Sequence, residues 1–410
     1  MLIRAKLHTA SSYLVYLGCA FAFCTVPFGL NLGRDIFYLS SYIAFFIVVL
    51  NFRQYTQNKF NLSIALSLLI LGLTTILWVA FYKQQDEYII IYRAYMGTAR
   101  LQIAAAFILL ISLNERLLAR KISIATGIIA GVIVCAYAFY QGLWQGMPRI
   151  SLNFDRATIV AYIITVISIV MLQSIIHIRH RHRIFIYAVA FTITYSALIL
   201  TGTRAAIIAY PIITFITILA TKGLIDPKQK KILLFALPLL LVVSGFVFKK
   251  QIELRITDFQ RNIVTINNTK LDNSVFSRVW MQIVAIKTGN DALLGQSAEA
   301  RAAEAKNIIS KEPKLRNAER YLTVHLHNEI LETYSLRGAW GVILLLTFYA
   351  SLLTLSLWKK RNAMLLGITL SLIIYGLSDV LFFSTECTVI FLVGIIISIL
   401  ANRNYTEGEA

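Results

Sequence analysis

Twelve apolar runs, at approximately 11–30, 36–51, 62–81, 101–113, 122–140, 157–176, 184–200, 205–221, 232–248, 339–357, 363–378 and 387–401, take up most of this 410-residue chain. A helix needs roughly 20 predominantly apolar residues to cross the hydrocarbon core of a bilayer. Twelve such spans use about 240 residues and leave about 170 for loops and ends. The run at 101–113 is short, but it can extend back through Met96 and Gly97. The runs at 184–200 and 205–221 are parted only by Thr201-Gly202-Thr203-Arg204, short enough for a tight re-entry. Charged residues are 14% of the chain, where a soluble domain carries about 25%. That deficit excludes an ordinary cytosolic enzyme. The 24 Phe and 20 Tyr exclude disorder as the main state. A signal peptide over the first run is set aside, because Pro27 and Arg34 are not followed by a cleavable, soluble domain. The fold class expected is therefore an all-α polytopic integral membrane protein of about twelve transmembrane helices.

The formal charge is +19. On a soluble chain that would suggest nucleic acid, but here most basic residues sit in short loops between apolar runs. With the N-terminus in the cytoplasm, the cytoplasmic ends and loops, from Arg4 to Arg403, hold 18 Lys and Arg. The short outward loops hold 7: Arg34, Lys83, Arg93, Arg100, Arg149, Arg156 and Arg204. This asymmetry predicts an even number of spans with both termini cytoplasmic. Arg179-His180-Arg181-His182-Arg183 and Lys359-Lys360-Arg361 are the strongest local anchors, and read as topological contacts with anionic headgroups. Cys19, Cys24, Cys135 and Cys387 lie within or beside apolar runs without CxxC spacing, and read as small apolar residues.

One stretch departs from this pattern. Between about Lys249 and Arg337 no apolar run reaches span length, and the segment carries 14 Lys/Arg and 10 Asp/Glu. It is too long for a passive connection. Ser277–Lys287 and Ser297–Lys306 read as helical. The expected organisation is an N-terminal membrane bundle at 1–248 with about nine spans, a partly helical outer loop or lid at 249–337 between spans 9 and 10, and a C-terminal bundle of about three spans with a short tail at 338–410.

Three features on the outer side bear chemistry. Arg204 stands at the mouth of a span, after a Gly202 that permits a tight turn. It either snorkels to the interface or grips a phosphate bidentately. Arg278 lies in Ser274-Val275-Phe276-Ser277-Arg278-Val279-Trp280, where Phe276 and Trp280 can seat a short amphipathic helix on the bilayer surface. The alternative is a solvated loop arginine. The third is His325-Leu326-His327-Asn328-Glu329 through Tyr334, in which a helix would put His327, Leu331 and Tyr334 on one face. Two histidines two apart invite a metal, but Glu329 and Glu332 do not complete HExxH. A neutral His327 can instead accept a hydroxyl proton, or serve as a hydrogen-bonded interface residue. There is no GxGxxG and no GxxxxGK[ST], so no nucleotide site is expected. Carboxylates are nearly absent from the spans, which disfavours an ion-driven transporter.

The whole arrangement resembles the O-antigen ligases of Gram-negative inner membranes, within the broader ligase and polymerase superfamily. Their signature is His followed by Asn, Ser or Gln, nine residues, then GxxG. Here it reads His327-Asn328, nine residues from Glu329 to Arg337, then Gly338-Ala339-Trp340-Gly341. Thr203-Arg204 matches the family's Thr/Ser-Arg element, and Arg278, shortly before Trp280, matches its loop arginine. The resemblance implies transfer of a polysaccharide from undecaprenyl diphosphate to the lipid A–core oligosaccharide at a periplasmic site, by inversion, with no cofactor, metal or ATP. It implies catalytic roles for His327, Arg204 and Arg278, and substrate contacts from Asn328, Tyr334, Arg337 and Trp280. An O-antigen polymerase or a protein O-oligosaccharyltransferase would share much of this chemistry. A lipid-linked sugar transporter would form no glycosidic bond.

Overall fold

The computed structural model describes residues 2–84, 87–115, 119–154, 156–178, 180–264, 276–359 and 361–402, without the side chains of 2–6 and 262. Arg116, Arg179, Lys360 and Arg403 of the cytoplasmic basic set, Ser274 and Val275, and the tail beyond 402 lie outside the described residues. Sixteen α-helices make up the described architecture. The first eight are α1 (Leu2–Thr25), α2 (Asn31–Leu50), α3 (Phe52–Thr56), α4 (Lys59–Tyr82), α5 (Ile89–Asn114), α6 (Arg120–Phe139), α7 (Ala157–His177) and α8 (Arg183–Thr201). The rest are α9 (Arg204–Ala220), α10 (Pro227–Val247), α11 (Lys249–Val264), α12 (Phe276–Asn290), α13 (Ala298–Lys311), α14 (Glu329–Thr354), α15 (Ala363–Gly376) and α16 (Thr385–Ala401).

Each apolar run falls on a helix. Among the described residues nine helices, α1, α2, α4 to α8, α10 and α14, are long and apolar enough to cross a membrane. The apolar helices α9, α15 and α16 are shorter. The protein is an all-α polytopic membrane protein. Composition also sets radial position, since a helix apolar all round belongs inside the bundle. Every residue of Ile159–Ile176 in α7 and of Cys387–Ala401 in α16 is buried, whereas α10 buries only Leu233, Leu237 and Ser244.

A second, smaller core lies at one end of the bundle. Trp78, Tyr88, Tyr92 and Tyr95 from α4, α5 and the turn between them meet Met281, Val284 and Ala285 of α12 and Ala298 and Ala302 of α13. Trp280 packs on this core from its margin, partly buried. Trp78 Nε1–H donates to the Gln296 carbonyl at 2.9 Å, and the Tyr92 hydroxyl to Glu299 Oε2 at 2.6 Å. The part of the 249–337 stretch around α12 and α13 is thus tied down by specific contacts onto α4 and α5.

The GxxG of the sequence signature has a structural cause. Within α14, Gly338 adopts φ 69° and ψ −166°, a backbone region open only to glycine. The resulting kink lets Ala339 N–H donate to the Leu293 carbonyl at 2.9 Å, while Gln296 N–H donates to the Leu336 carbonyl at 2.8 Å. A Cβ on Gly338 would stand 2.2 Å from the Leu293 carbonyl oxygen. Gly338→Ala is expected to destabilise by about 1–3 kcal/mol or more, read as a drop in the thermal midpoint of detergent-purified protein. Gly245→Ala, where an added Cβ meets nothing nearer than 3.9 Å, is expected to leave the midpoint almost unchanged.

Candidate functional site

The turn between α8 and α9 places Arg204. Gly202 ends α8 with φ 62°, and Thr203 then opens α9, with Arg204 as its first residue. The Arg255 guanidinium of α11 lies against Gly202, where a Cβ would come within 2.7 Å of its Nε. Arg149 reaches the same turn, donating through Nε to the Thr201 carbonyl at 2.9 Å. Arg278 arrives from α12. These side chains, with Arg261, Asp258, Thr158 and Tyr162, line a cavity of about 350 Å³. Five guanidinium groups around one carboxylate make a strongly cationic pocket. Arg149 shows the strain: burial, then the fields of Arg255, Arg204 and Arg278, lower its pKa. A bound anion relieves that repulsion, and arginine forks suit the oxygens of a phosphate.

The histidine element is built differently from its expected helix. His327 precedes α14 and has φ 50°, so it does not share a helical face with Leu331 and Tyr334. Asn328 is the N-cap of α14, its Oδ1 accepting from the N–H groups of Ile330 and Leu331 at 3.1 and 3.0 Å. Two buried carboxylates in the first turn of α14 fasten what surrounds it. Glu332 accepts from Arg301 Nη1 at 2.7 Å and from Leu326 N–H at 2.8 Å, which fixes the histidine loop. Glu329 accepts from Phe382 N–H at 3.0 Å, which fixes the turn between α15 and α16. That turn carries Asp379, and the Asn328 amide also donates to its Leu377 carbonyl at 3.2 Å.

The consequence is a histidine–carboxylate pair. His327 Nδ1 lies 3.2 Å from Asp379 Oδ1, and the imidazole keeps some exposure while the carboxylate is buried. An Asp379 that accepts from Nδ1–H leaves Nε2 of His327 with its lone pair. Tyr162, in the wall of the arginine cavity, lies within electrostatic reach of both Arg278 and Asp379. On the other side of the pair, His325 lines a second cavity of about 590 Å³ with Arg93, Arg156, Ser384, Thr385 and Glu386.

His325 Nε2 is 3.1 Å from Arg156 Nη1 and 3.8 Å from Asp379 Oδ1. Burial pushes its pKa down to about 3, against the pull of Asp379 and with help from His327, Arg156 and Arg301. Asp379 is held well below the usual carboxylate range: burial opposes ionisation, but the His327 hydrogen bond, the neighbouring imidazoles and the Val380 N–H outweigh it. Because His325 has a lower pKa folded than unfolded, the unfolded chain takes up the extra proton between the two values. Its contribution is complete above about pH 6.5 and declines as pH falls toward about 3. The Asp379 contribution is complete above its unfolded value of about 3.9 and declines as pH falls below that. The thermal midpoint is therefore expected to fall on acidification below pH 6.5, and His325→Asn to flatten that slope. His325, His327 and Asp379 also have ligand-capable atoms within 4.8 Å of one another, but a guanidinium 3.1 Å from one of those atoms opposes a metal cation there.

The structure brings Arg204 and Arg278 together, and sets His327 and Asn328 beside the adjoining turn. It does not bring in the other residues singled out from sequence. Arg337 is buried, bonded to Thr75 and Thr333 hydroxyls. The Tyr334 hydroxyl donates to Asn290 Oδ1 at 2.9 Å, and Trp280 stays with the second core. Arg149, Arg255, Arg261, Tyr162 and Asp379 were missed. The sequence marks Arg149 only as an outward-loop charge and Arg255 and Arg261 only as part of the charge of the 249–337 segment; for Asp379, an acidic residue in an otherwise apolar hairpin is the available signal.

A multi-span helical membrane protein with a cationic cavity next to a partly exposed histidine paired with a buried carboxylate has the makings of an enzyme that acts on an anionic, membrane-borne substrate. A family model for O-antigen ligases matches residues 187–346, the stretch that holds Arg204, Arg278 and His327. The chain is 27% identical to the O-antigen ligase of Escherichia coli (strain K12) over 420 aligned positions, covering 99% of this chain and 100% of that one. These matches make the chain similar to O-antigen ligases, over residues 187–346 by the family model and over nearly its whole length by the relative.

Proposed function

We propose that this enzyme transfers O-antigen polysaccharide from undecaprenyl diphosphate to a hydroxyl of the lipid A–core oligosaccharide, at the periplasmic face of the inner membrane. The observation that carries the reading is the arginine cavity beside the His327–Asp379 pair. The topology proposed with it has about twelve spans, both termini cytoplasmic, a membrane bundle at 1–248, an outer lid at 249–337 and a second bundle from 338.

Arg204 and Arg278, with Arg149 alongside, hold the diphosphate of the donor and stabilise charge as it leaves. The acceptor sugar enters from the second cavity, near Arg93 and Arg156. His327 takes the proton of its hydroxyl at Nε2 while Asp379 holds the ring through Nδ1. The hydroxyl oxygen attacks the anomeric carbon opposite the diphosphate. One carbon–oxygen bond forms, the bond to phosphate breaks, and the anomeric configuration inverts. The glycosyl–phosphate bond supplies the free energy, so ATP has no part, and the guanidinium groups supply the charge stabilisation that a metal would give. Asn328 positions the histidine loop; Tyr334, Arg337 and Trp280 act through the framework.

Expression in a Gram-negative strain that lacks its own ligase but makes matching donor and acceptor tests the reading. Polymer attached to lipid A–core supports it. Polymer that lengthens only on the polyprenyl carrier would indicate a polymerase. Polymer attached to protein would indicate an O-oligosaccharyltransferase.

A further inference from the structure

The opposite ends of the helices that build the cleft carry a second site. α7 starts beside the arginine cavity and, at 1.5 Å per residue, its 21 residues end about 30 Å away. Its last residue, His177, meets Arg120 at the start of α6 and His180, Arg181 and Arg183 around the start of α8. With Ile176, Gly223, Leu224 and Gln229 they line a polar cavity of about 710 Å³. Among the described residues no carboxylate lines it. Arg183 is steadied by a 2.9 Å bond to Gln229 Oε1. His177 Nδ1–H donates to the Gln173 carbonyl at 2.7 Å, which leaves its Nε2 buried and without a hydrogen-bond partner among the described residues.

Directly against this cavity runs an apolar groove of about 690 Å³ between α6, α7 and α8, lined among others by Val132, Phe139, Met171, Phe185, Val189 and Ile193. His180 and Arg183 line both spaces. A cationic chamber that opens into a hydrocarbon groove at bilayer depth has the polarity of one molecule, an anionic head on an acyl chain.

We propose that this is a binding site for one anionic glycerophospholipid, its phosphate among Arg120, Arg181, Arg183 and His177 and one acyl chain in the groove. Simple attraction of a basic loop to a charged surface needs no groove, and an annular lipid needs no cationic head site built from the ends of three helices. The same helices carry Thr158, Tyr162 and the Gly202 turn at their other ends, so an occupant here braces the scaffold of the arginine cavity from across the membrane.

Native mass spectrometry of the full chain in detergent, with phosphatidylglycerol and phosphatidylcholine added in equal amounts, tests this. Wild type is expected to retain one phosphatidylglycerol under activation that strips phosphatidylcholine. Arg181→Gln combined with Arg183→Gln, and separately Val189→Trp, which blocks the groove and leaves the charge intact, are each expected to lower that retention about tenfold. Lys359→Gln, a basic residue elsewhere that lies over Phe60, is expected to leave it unchanged. Equal retention of the two lipids would overturn the proposal, as would sensitivity to charge without sensitivity to Val189→Trp. Selective retention of an added polyprenyl phosphate over phosphatidylglycerol would overturn the choice of occupant.

Discussion

Arg204→Ala and Arg278→Ala are each expected to lower glycan transfer by about 10²–10³-fold, the loss typical when one preorganised charge-stabilising group is removed. Both side chains line the same cationic cavity, so each deletion removes stabilisation of the departing diphosphate that water does not replace in a partly enclosed site. Arg204→Lys and Arg278→Lys are expected to recover only part of the loss, because a lysine ammonium is a point charge and lacks the planar fork that grips two phosphate oxygens. Folding is not expected to suffer. The Arg149–Thr201 bond and the Gly202 turn hold the α8–α9 corner without Arg204, and α12 packs through Met281, Val284 and Ala285 and not through Arg278. Initial rates on purified variants, with thermal midpoints measured in parallel, check both parts. Wild-type rates would remove the arginines from the mechanism; collapsed midpoints would make their role structural.

His327→Ala is expected to cost about 10²–10⁴-fold, the usual range for a positioned general base. Asp379→Asn is expected to cost less, since the carbonyl can still receive Nδ1–H and hold the imidazole in place, but the charge that stabilises the protonated ring is lost. The signature of a positioning role is in the pH–rate profile: Asp379→Asn lowers the basicity of Nε2, so the ascending limb is expected to move to lower pH as the maximum falls. Asp379 also accepts from the Val380 N–H at 2.9 Å, a bond that the asparagine carbonyl can still receive, so the turn should survive. A profile that scales down without moving would argue that Asp379 serves structure alone.

Much of the fold could be read from apolar run length, because a bilayer leaves a chain few other ways to satisfy its backbone. The helices in the long hydrophilic stretch were also legible: Ser277–Lys287 and Ser297–Lys306 lie in or at the start of α12 and α13. What periodicity did not reveal was how α14 begins. An apolar pattern cannot say that Asn328 caps the helix and leaves His327 in a left-handed turn outside it. Arg204, Arg278 and His327 were found through local motifs. Arg149, Arg255 and Asp379 belong to other segments, separated from these by tens of residues, and only packing brings them near. The Arg337 example shows the converse. It sits between the histidine and the glycines of the signature, yet its partners are Thr75 and Thr333 inside the bundle.

The most direct test of the central claim is transfer by the purified full chain in detergent, given polyprenyl-diphosphate-linked glycan and lipid A–core, with chelator present and ATP omitted. The account predicts glycan on lipid A–core with inverted anomeric configuration, lost in the Arg204, Arg278 and His327 variants. With folded protein and intact substrates, lipid A–core left unmodified, or modified equally well by all three variants, would contradict it.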